Sequence, residues 1–451
     1  MSDTGDNLLA LLDRLVDRAS AGESVEAYGV DETETTVKAY DGEVESLASA
    51  RTRGVGVRVI TGGRVGYAYT ADLAEEALGE ALDEARANAA VAAADEANVL
   101  PPAADGGEMP ELYDEVFDAV QAEDKVKIAV ALEAAARRGD RVKGVDSAQY
   151  GDSASTVAIA STTGLRGAYR RCDAFVLVEV LAEADGQTTS AYGLDVRRLP
   201  GDLDVEGAAA EARTRATRLL GGRQPASGQL PVLLDPFATA SFLGVVAAAL
   251  NAESVQKGRS LFAGRIGERI GPDHLTLVDD GRLADGPASA PWDGEGVPSG
   301  RTSLLDGGVL QGWLHNSYSA AREGTSSTGN ARRAGFKSPP GISPTNLFLA
   351  PGDESQEALL GRAGTGFYCQ QVLGVHSGAN PITGDFSVGA AGVMVRDGAF
   401  AEPVREATVA GTLTGMLAGV VAVGADLRFL PFGGGMGGAT LLIEGMTLAG
   451  A

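Results

Sequence analysis

Histidine and cysteine, the residues that hold most catalytic metals, are scarce in this chain. His274, His315 and His376 are its only histidines in 451 residues, and Cys172 and Cys369 its only cysteines. The histidines lie far apart with no metal-ligand spacing, so each reads as a solvated or hydrogen-bonded side chain. The cysteines stand in "YRRCDAF" and "GFYCQQ" without a C-x-x-C partner. That excludes a disulfide framework and predicts buried structural thiols.

Lysine is also rare: Lys38, Lys125, Lys127, Lys143, Lys257 and Lys337 are all there are, and the formal net charge is −24. Binding to a phosphate backbone rests on Lys and Arg replacing counterions, so direct nucleic-acid binding is not expected. The acidic residues are scattered instead of forming a tail, which fits a solvated surface in a salt-rich cytoplasm where screening relieves self-repulsion. No apolar run is long enough to span a bilayer, and "MSDTGDNLLALLDRLVDRAS" carries acids where a signal peptide would be basic. The reading is a cytoplasmic protein that does not bind membranes.

Nucleotide motifs are missing as well. There is no Gly-Lys dipeptide for a P-loop and no G-x-S-x-G elbow. "GGGMGG" at 433–438 satisfies G-x-G-x-x-G but leads into the strand-like "ATLLIEG" instead of a helix, so the dinucleotide reading fails on context.

What is present is a chain with 44% hydrophobic residues, too long for one compact core. Leu8, Leu11, Leu12, Leu15 and Ala19 recur at helical spacing and predict a helix over 7–19. From Ser24 to Tyr69, short Val, Thr and Tyr-rich runs are broken by "DG" at Asp41-Gly42, "RGVG" and "TGGR", the punctuation of an antiparallel meander. A helix over 72–92, capped by Asp72, follows. Beyond the Pro/Gly linker "ADEANVLPPAADGGEMPE" the order recurs: helix over 123–138, strands over 141–197 with a turn at Asp185-Gly186, and helix over 205–220. This suggests a repeat, 1–100 and 113–222, within an N-terminal α+β domain of residues 1–225. "GGRQPASGQLPVLLDP" marks the passage to a C-terminal domain, 226–451, with helices over 236–250 and 407–417 and otherwise a curved, Gly-rich β-region. The fold class is α+β, because strands come in runs instead of alternating with helices.

The C-terminal half resembles the TldD/PmbA family, also called modulators of DNA gyrase. The segments that carry the likeness are "KGRSLFAGRIGE", "DGEGVPSGRTSLLDGGVLQGWLHNSYSAAREGTSSTGNARR", "SPTNLFLAPG", "NPITGDFSVGAAGVMVRDGAFAEPVREATVAGTLTGML" and "ATLLIEGMTLAGA". The N-terminal half is similar more loosely, through "ESLASARTRGVGVRVITGGRVGYAYTAD". The resemblance implies two kinds of paralogue. TldD-like members carry an H-E-x-x-x-H helix and a late Cys that hold a metal and activate water, whereas TldE (PmbA)-like members keep the scaffold without them.

Aligned on "KGRSLFAGRIGE", the first His, the Glu and the second His of that motif fall at Leu243, Gly244 and Ala248, and the late Cys falls in the thiol-free "LPFGGGMGGAT". "TGDFSVGAAG" and "IEGMTLAG" also look like the TldE side. The resemblance therefore implies a chain with no metal or other cofactor of its own and no catalysis when alone. It would pair with a zinc-bearing TldD-like metallopeptidase that processes unfolded peptides, the peptide lying as an added β-strand. Two alternatives stand beside it. One is a self-sufficient peptidase using replacement groups, such as His376 with Asp385 or His315 with Glu323. The other is a homo-oligomer, for instance a homodimer, that binds peptides or a regulatory target such as gyrase.

Overall fold

The computed structural model describes residues 3–104, 111–430 and 434–450. Its first unit begins with α1 (Asp3–Val16), whose Leu8, Leu12 and Leu15 are buried on one face. Strands β1 (Glu23–Tyr40), β2 (Glu43–Thr61) and β3 (Arg64–Thr70) follow, then α2 (Glu75–Val91). The β1–β2 hairpin turns at Asp41-Gly42, both at positive φ (54° and 80°), the twist that antiparallel hairpins favour. The second unit comprises α3 (Ala122–Ala136), β4 (Val142–Ser161), β5 (Arg166–Ala184), β6 (Gln187–Arg197) and α4 (Val205–Arg218), with the turn at Asp185-Gly186.

The two meanders join through β1 and β4 into one antiparallel sheet, ordered β3-β2-β1-β4-β5-β6. The four helices pack on this sheet over two apolar clusters, one around Leu12, Val57 and Leu82, the other around Leu132, Val178 and Ala212. Residues of the opposite face, among them Tyr28, Val157 and Ile159, meet Phe336 and Trp292 of the C-terminal half.

Two local expectations change. "RGVG" is not a turn: Arg53–Gly56 runs inside β2, and a Cβ at Gly56 would come within 2.0 Å of the Tyr67 hydroxyl oxygen. Its glycine answers a close approach, not a reversal. Asp72 does not cap α2, which starts three residues later behind Ala74; its carboxylate accepts the Ala74 N–H at 2.9 Å in the turn before the helix.

The C-terminal half opens with β7 (Gly228–Leu234), α5 (Pro236–Ala249) and α6 (Ala252–Gln256). Next come β8 (Leu277–Asp280), β9 (Arg301–Asp306), β10 (Val309–Leu310), α7 (Ser317–Glu323), β11 (Ala331–Arg332), β12 (Gly341–Ile342) and β13 (Asn346–Leu349). After α8 (Gln356–Ala363) lie β14 (Gly366–Leu373), α9 (Val375–Gly378), β15 (Asp385–Arg396), β16 (Ala399–Thr412) and α10 (Leu413–Ala418). The last strands are β17 (Val420–Val423), β18 (Arg428–Leu430), β19 (Gly435–Gly438) and β20 (Leu441–Gly450).

These strands form two six-stranded sheets, β10-β9-β8-β13-β19-β18 and β16-β15-β14-β7-β20-β17, and a small β11-β12 pair, instead of one curved sheet. An additional pairing of β16 with β20 closes five strands of the second sheet into a ring. The helix expected over 407–417 is shorter: Ala407–Thr412 continue β16, where Val409 pairs with Val388 and with Leu448, and α10 begins only at Leu413. Pairing on both sides outweighs local helix propensity there. Helix α5 contacts β7 and β14 of one sheet and β13, β18 and β19 of the other. Enclosure between two sheets accounts for a helix apolar nearly all round.

Candidate functional site

Helix α5 is held at its first turn. Pro236 occupies the first helical position, and the buried Asp235 accepts the Ala238 N–H at 2.9 Å while pairing with Arg215. Arg215 also donates to the Gln370 carbonyl at 2.9 Å, which ties α4, α5 and β14 together. Strand β19 lies close beneath the helix start, since a Cβ at Gly438 would stand 1.8 Å from the Pro236 carbonyl oxygen. The glycine run "GGGMGG" thus includes a buried strand that lets the helix settle on it.

The rest of α5 borders a cavity of about 610 Å³. Phe237, Ser241, Gly244 and Ala248 form one wall, Leu314 and 342–344 a second, and Leu430 and Met436 a third. Of the three positions singled out in the sequence, two face this space. A Cβ at Gly244 would meet no atom within 4 Å, and Ala248 is exposed. Leu243 is not on the cavity; its side chain is fully buried in the core between the sheets.

Two of the polar side chains around the cavity are already engaged. Ser241 Oγ donates to the Phe237 carbonyl at 2.9 Å; Asn251 Nδ2 donates to the Ile342 carbonyl at 3.2 Å, and its Oδ1 accepts the Glu253 and Ser254 N–H groups. Zinc in peptidases takes imidazole, thiolate or carboxylate donors, and none of the lining residues offers one. The donor set does not fit a catalytic metal. No cluster of three His, Cys, Asp or Glu able to hold an ion occurs among the described residues.

The replacement pairs fare differently. His315 Nε2 lies 3.8 Å from Glu323 Oε2, but the ring is buried, Nδ1 shares a 3.1 Å hydrogen bond with Ser319 Oγ, and burial holds its pKa below the usual histidine value. It stands beside the start of α7, where Asn316 and Ser319 form a capping box. His376 is exposed on α9 and Asp385 Oδ2 accepts instead from Thr383 Oγ1 at 2.7 Å. His274 is exposed on a loop. Cys172 and Cys369 are free and buried, and burial pushes both thiols up from their ordinary value.

What the sequence reading missed is a charged cluster between the halves of the chain. Arg58 of β2 donates to Glu26 of β1 and to Glu295, each at 2.7 Å, and Arg333 also pairs with Glu26. Glu26 and Arg58 are direct cross-strand neighbours. Their signal was visible as single charges inside the apolar runs "SVEAYGV" and "GVGVRVI".

Three family models cover most of this architecture. The PmbA/TldA metallopeptidase domain 1 matches residues 25–89, the central domain 115–220 and the C-terminal domain 227–450. The chain belongs to the TldD/PmbA family. Within this family it is similar to "Metalloprotease PmbA" of Escherichia coli O157:H7, 29% identical and spanning 88% of this chain and 86% of that one. The "Metalloprotease TldD homolog" of Haemophilus influenzae is 28% identical over 82% of this chain and 79% of that protein. A solved Thermotoga maritima structure titled as a modulator of a DNA gyrase superposes with a TM-score of 0.88 at 28% identity, over 98% of this chain and 99% of that one. TldE from Thermococcus kodakarensis shares the fold with a TM-score of 0.88 at 23% identity over 99% of each chain. No helix among the described residues of this TldD/PmbA member is long and apolar enough to cross a membrane.

Proposed function

We propose that this chain is the TldE-like, non-catalytic member of a peptide-processing pair, working in the cytoplasm beside a TldD-like metallopeptidase subunit. The observation that carries the reading is the cavity along α5. By the likeness to the family, Leu243, Gly244 and Ala248 take the places of its metal ligands, and the groups lining the cavity beside Gly244 and Ala248 supply shape and apolar surface but no metal donor. Such a cavity can take an apolar side chain of an unfolded peptide, while bond cleavage requires the metal-activated water of a partner. The same reading treats 1–225 and 226–451 as the two domains, with 1–100 and 113–222 as a repeat inside the first.

The test is reconstitution. The purified chain alone should leave an unstructured fluorogenic peptide intact. Mixed with a TldD-like subunit of the same cell it should form a heteromer that cleaves the peptide, and chelation should stop cleavage. Ala248→Trp, which fills the cavity from an exposed position, should weaken peptide capture without loss of the heteromer. Cleavage by the isolated chain after rigorous removal of host proteases overturns the reading, as does failure to associate with any such subunit.

A further inference from the structure

A second, smaller cavity of about 100 Å³ lies between the N-terminal sheet and the C-terminal half, away from α5. Tyr28, Tyr169 and Arg171 of the sheet face Trp292, Ser299 and Arg332 across it. Its polar groups are unevenly satisfied. The indole N–H of Trp292 and the hydroxyl of Ser299 are buried without any hydrogen-bond partner, and Ser299 is only 3% exposed. Arg332 is half-buried, and no hydrogen bond or ion pair engages its guanidinium among the described residues.

The carboxylates that could neutralise Arg332 are occupied elsewhere. Asp173 binds Arg171 at 2.6 Å and also Arg198. Asp293 turns both oxygens to backbone, accepting the Glu295, Val297 and Ala331 N–H groups. Asp279 accepts from Asn330 Nδ2, Thr345 N–H and Thr345 Oγ1, and reaches Arg332 through its charge alone, without a hydrogen bond or ion pair. Glu26 is shared by Arg58 and Arg333. Arg332 and Arg171 are moreover close enough to repel: after burial, Arg171 is the second cause holding the Arg332 pKa below its ordinary value. Donors without acceptors around one space, with a guanidinium that makes no hydrogen bond or ion pair among them, have the composition of an anion site.

We propose that the cavity between Arg171, Trp292, Ser299 and Arg332 binds a small oxyanion through the Arg332 guanidinium, the Ser299 hydroxyl and the Trp292 N–H. A volume of about 100 Å³ admits a few water-sized groups, which suits a phosphate or a single carboxylate and excludes a nucleotide. Because the walls come from both halves of the chain, the anion braces them together, and its binding stabilises the folded chain. The source of the oxyanion is either a free ion or the terminal carboxylate of a peptide. The site is independent of the α5 cavity and of any partner subunit.

The test is thermal unfolding of the full chain at constant ionic strength, with potassium chloride replaced stepwise by potassium phosphate or sulfate, and calorimetric titration with inorganic phosphate. An acetylated dipeptide with a free carboxylate, compared with its amide, separates the peptide source from the free ion. Wild type should gain in melting temperature saturably with at least one oxyanion. Arg332→Gln should bind that oxyanion at least tenfold more weakly while melting no lower than wild type in chloride, because it removes a cation that makes no ion pair and is repelled by Arg171. Ser299→Ala should bind it more weakly with the fold retained. The proposal is overturned by an equal response in wild type and Arg332→Gln, or by no saturable response to phosphate, sulfate or the carboxylate. An Arg332→Gln chain that melts well below wild type in chloride overturns it too, since the guanidinium would then be engaged by the protein itself.

Discussion

Arg58 and Glu295 meet 2.7 Å apart, from β2 and from the loop that follows β8, with side chains only 8% and 1% exposed. This contact joins two parts of the chain more than two hundred residues apart, and the pair is completed by Glu26 and Arg333. Removing one partner of a buried pair leaves a charge that neither water nor protein balances, a loss of about 3–5 kcal/mol. Arg58→Met should therefore lower the unfolding free energy measured by urea titration by that order. Combining it with Glu295→Leu should recover part of the loss. A single substitution within about 1 kcal/mol of wild type would show that the cluster does not hold the halves together.

Asp293 stands two residues from Glu295, and its carboxyl is pushed up to about 7, by burial first and by the Glu295 charge second, against the pull of three backbone N–H donors. The folded state keeps a proton that the unfolded chain releases near 3.8. The stability from this group is thus fully present below that value and is lost as the pH rises through about 7. Asp293→Asn, which cannot titrate, should remove this slope. Urea unfolding at several pH values should give a wild-type-minus-variant difference that shrinks as pH rises; a flat difference counts against the assignment. Glu295 has the opposite sign: burial raises its carboxyl, but the Arg58 charge and the hydrogen bonds from Ser317 and Arg58 together bring it below the usual range, so its contribution is lost on acidification.

The net charge of −24 sets the response to salt. Screening weakens repulsion in the compact folded state more than in the expanded chain, so the melting temperature should rise between low and molar potassium chloride. Many of the ion pairs are exposed, such as Arg138–Glu206 and Lys127–Asp124, and are worth little when screened. An unchanged or lower midpoint at high salt would contradict the expectation.

Placing metal ligands on α5 should not make a peptidase. In Leu243→His, Gly244→Glu, Ala248→His the first histidine would enter the core between the sheets, since Leu243 is fully buried away from the cavity. The purified triple variant should be less stable than wild type, by about 2–5 kcal/mol for loss of a buried leucine side chain. Neither it nor wild type should carry stoichiometric zinc by elemental analysis after dialysis. About one zinc per wild-type chain would refute the reading of the cavity as donor-free.

Much of the local structure was legible because it depends on neighbours in sequence. The apolar stripe of α1, the Asp-Gly turns and the two strand runs, each followed by a helix, follow from side-chain period and backbone preference, which are short-range properties. The errors fall where distant chain decides. Gly56 reads as a turn until Tyr67 is brought against it, and Ala407–Thr412 reads as helix until β15 and β20 pair on either side.

The candidate site divides in the same way. The chemistry available along α5 was set by the sequence alone, because Leu243, Gly244 and Ala248 offer no donor whatever surrounds them. Tertiary structure decided that Gly244 and Ala248 border a cavity while Leu243 belongs to the core, because α5 lies between two sheets and only one strip of it is left uncovered. It alone decided that Glu26, Arg58, Glu295 and Arg333 neutralise one another while Arg332, next to Arg333 in sequence, makes no ion pair among the described residues. Composition counts charges, but which of them are balanced depends on distances that only the folded chain supplies.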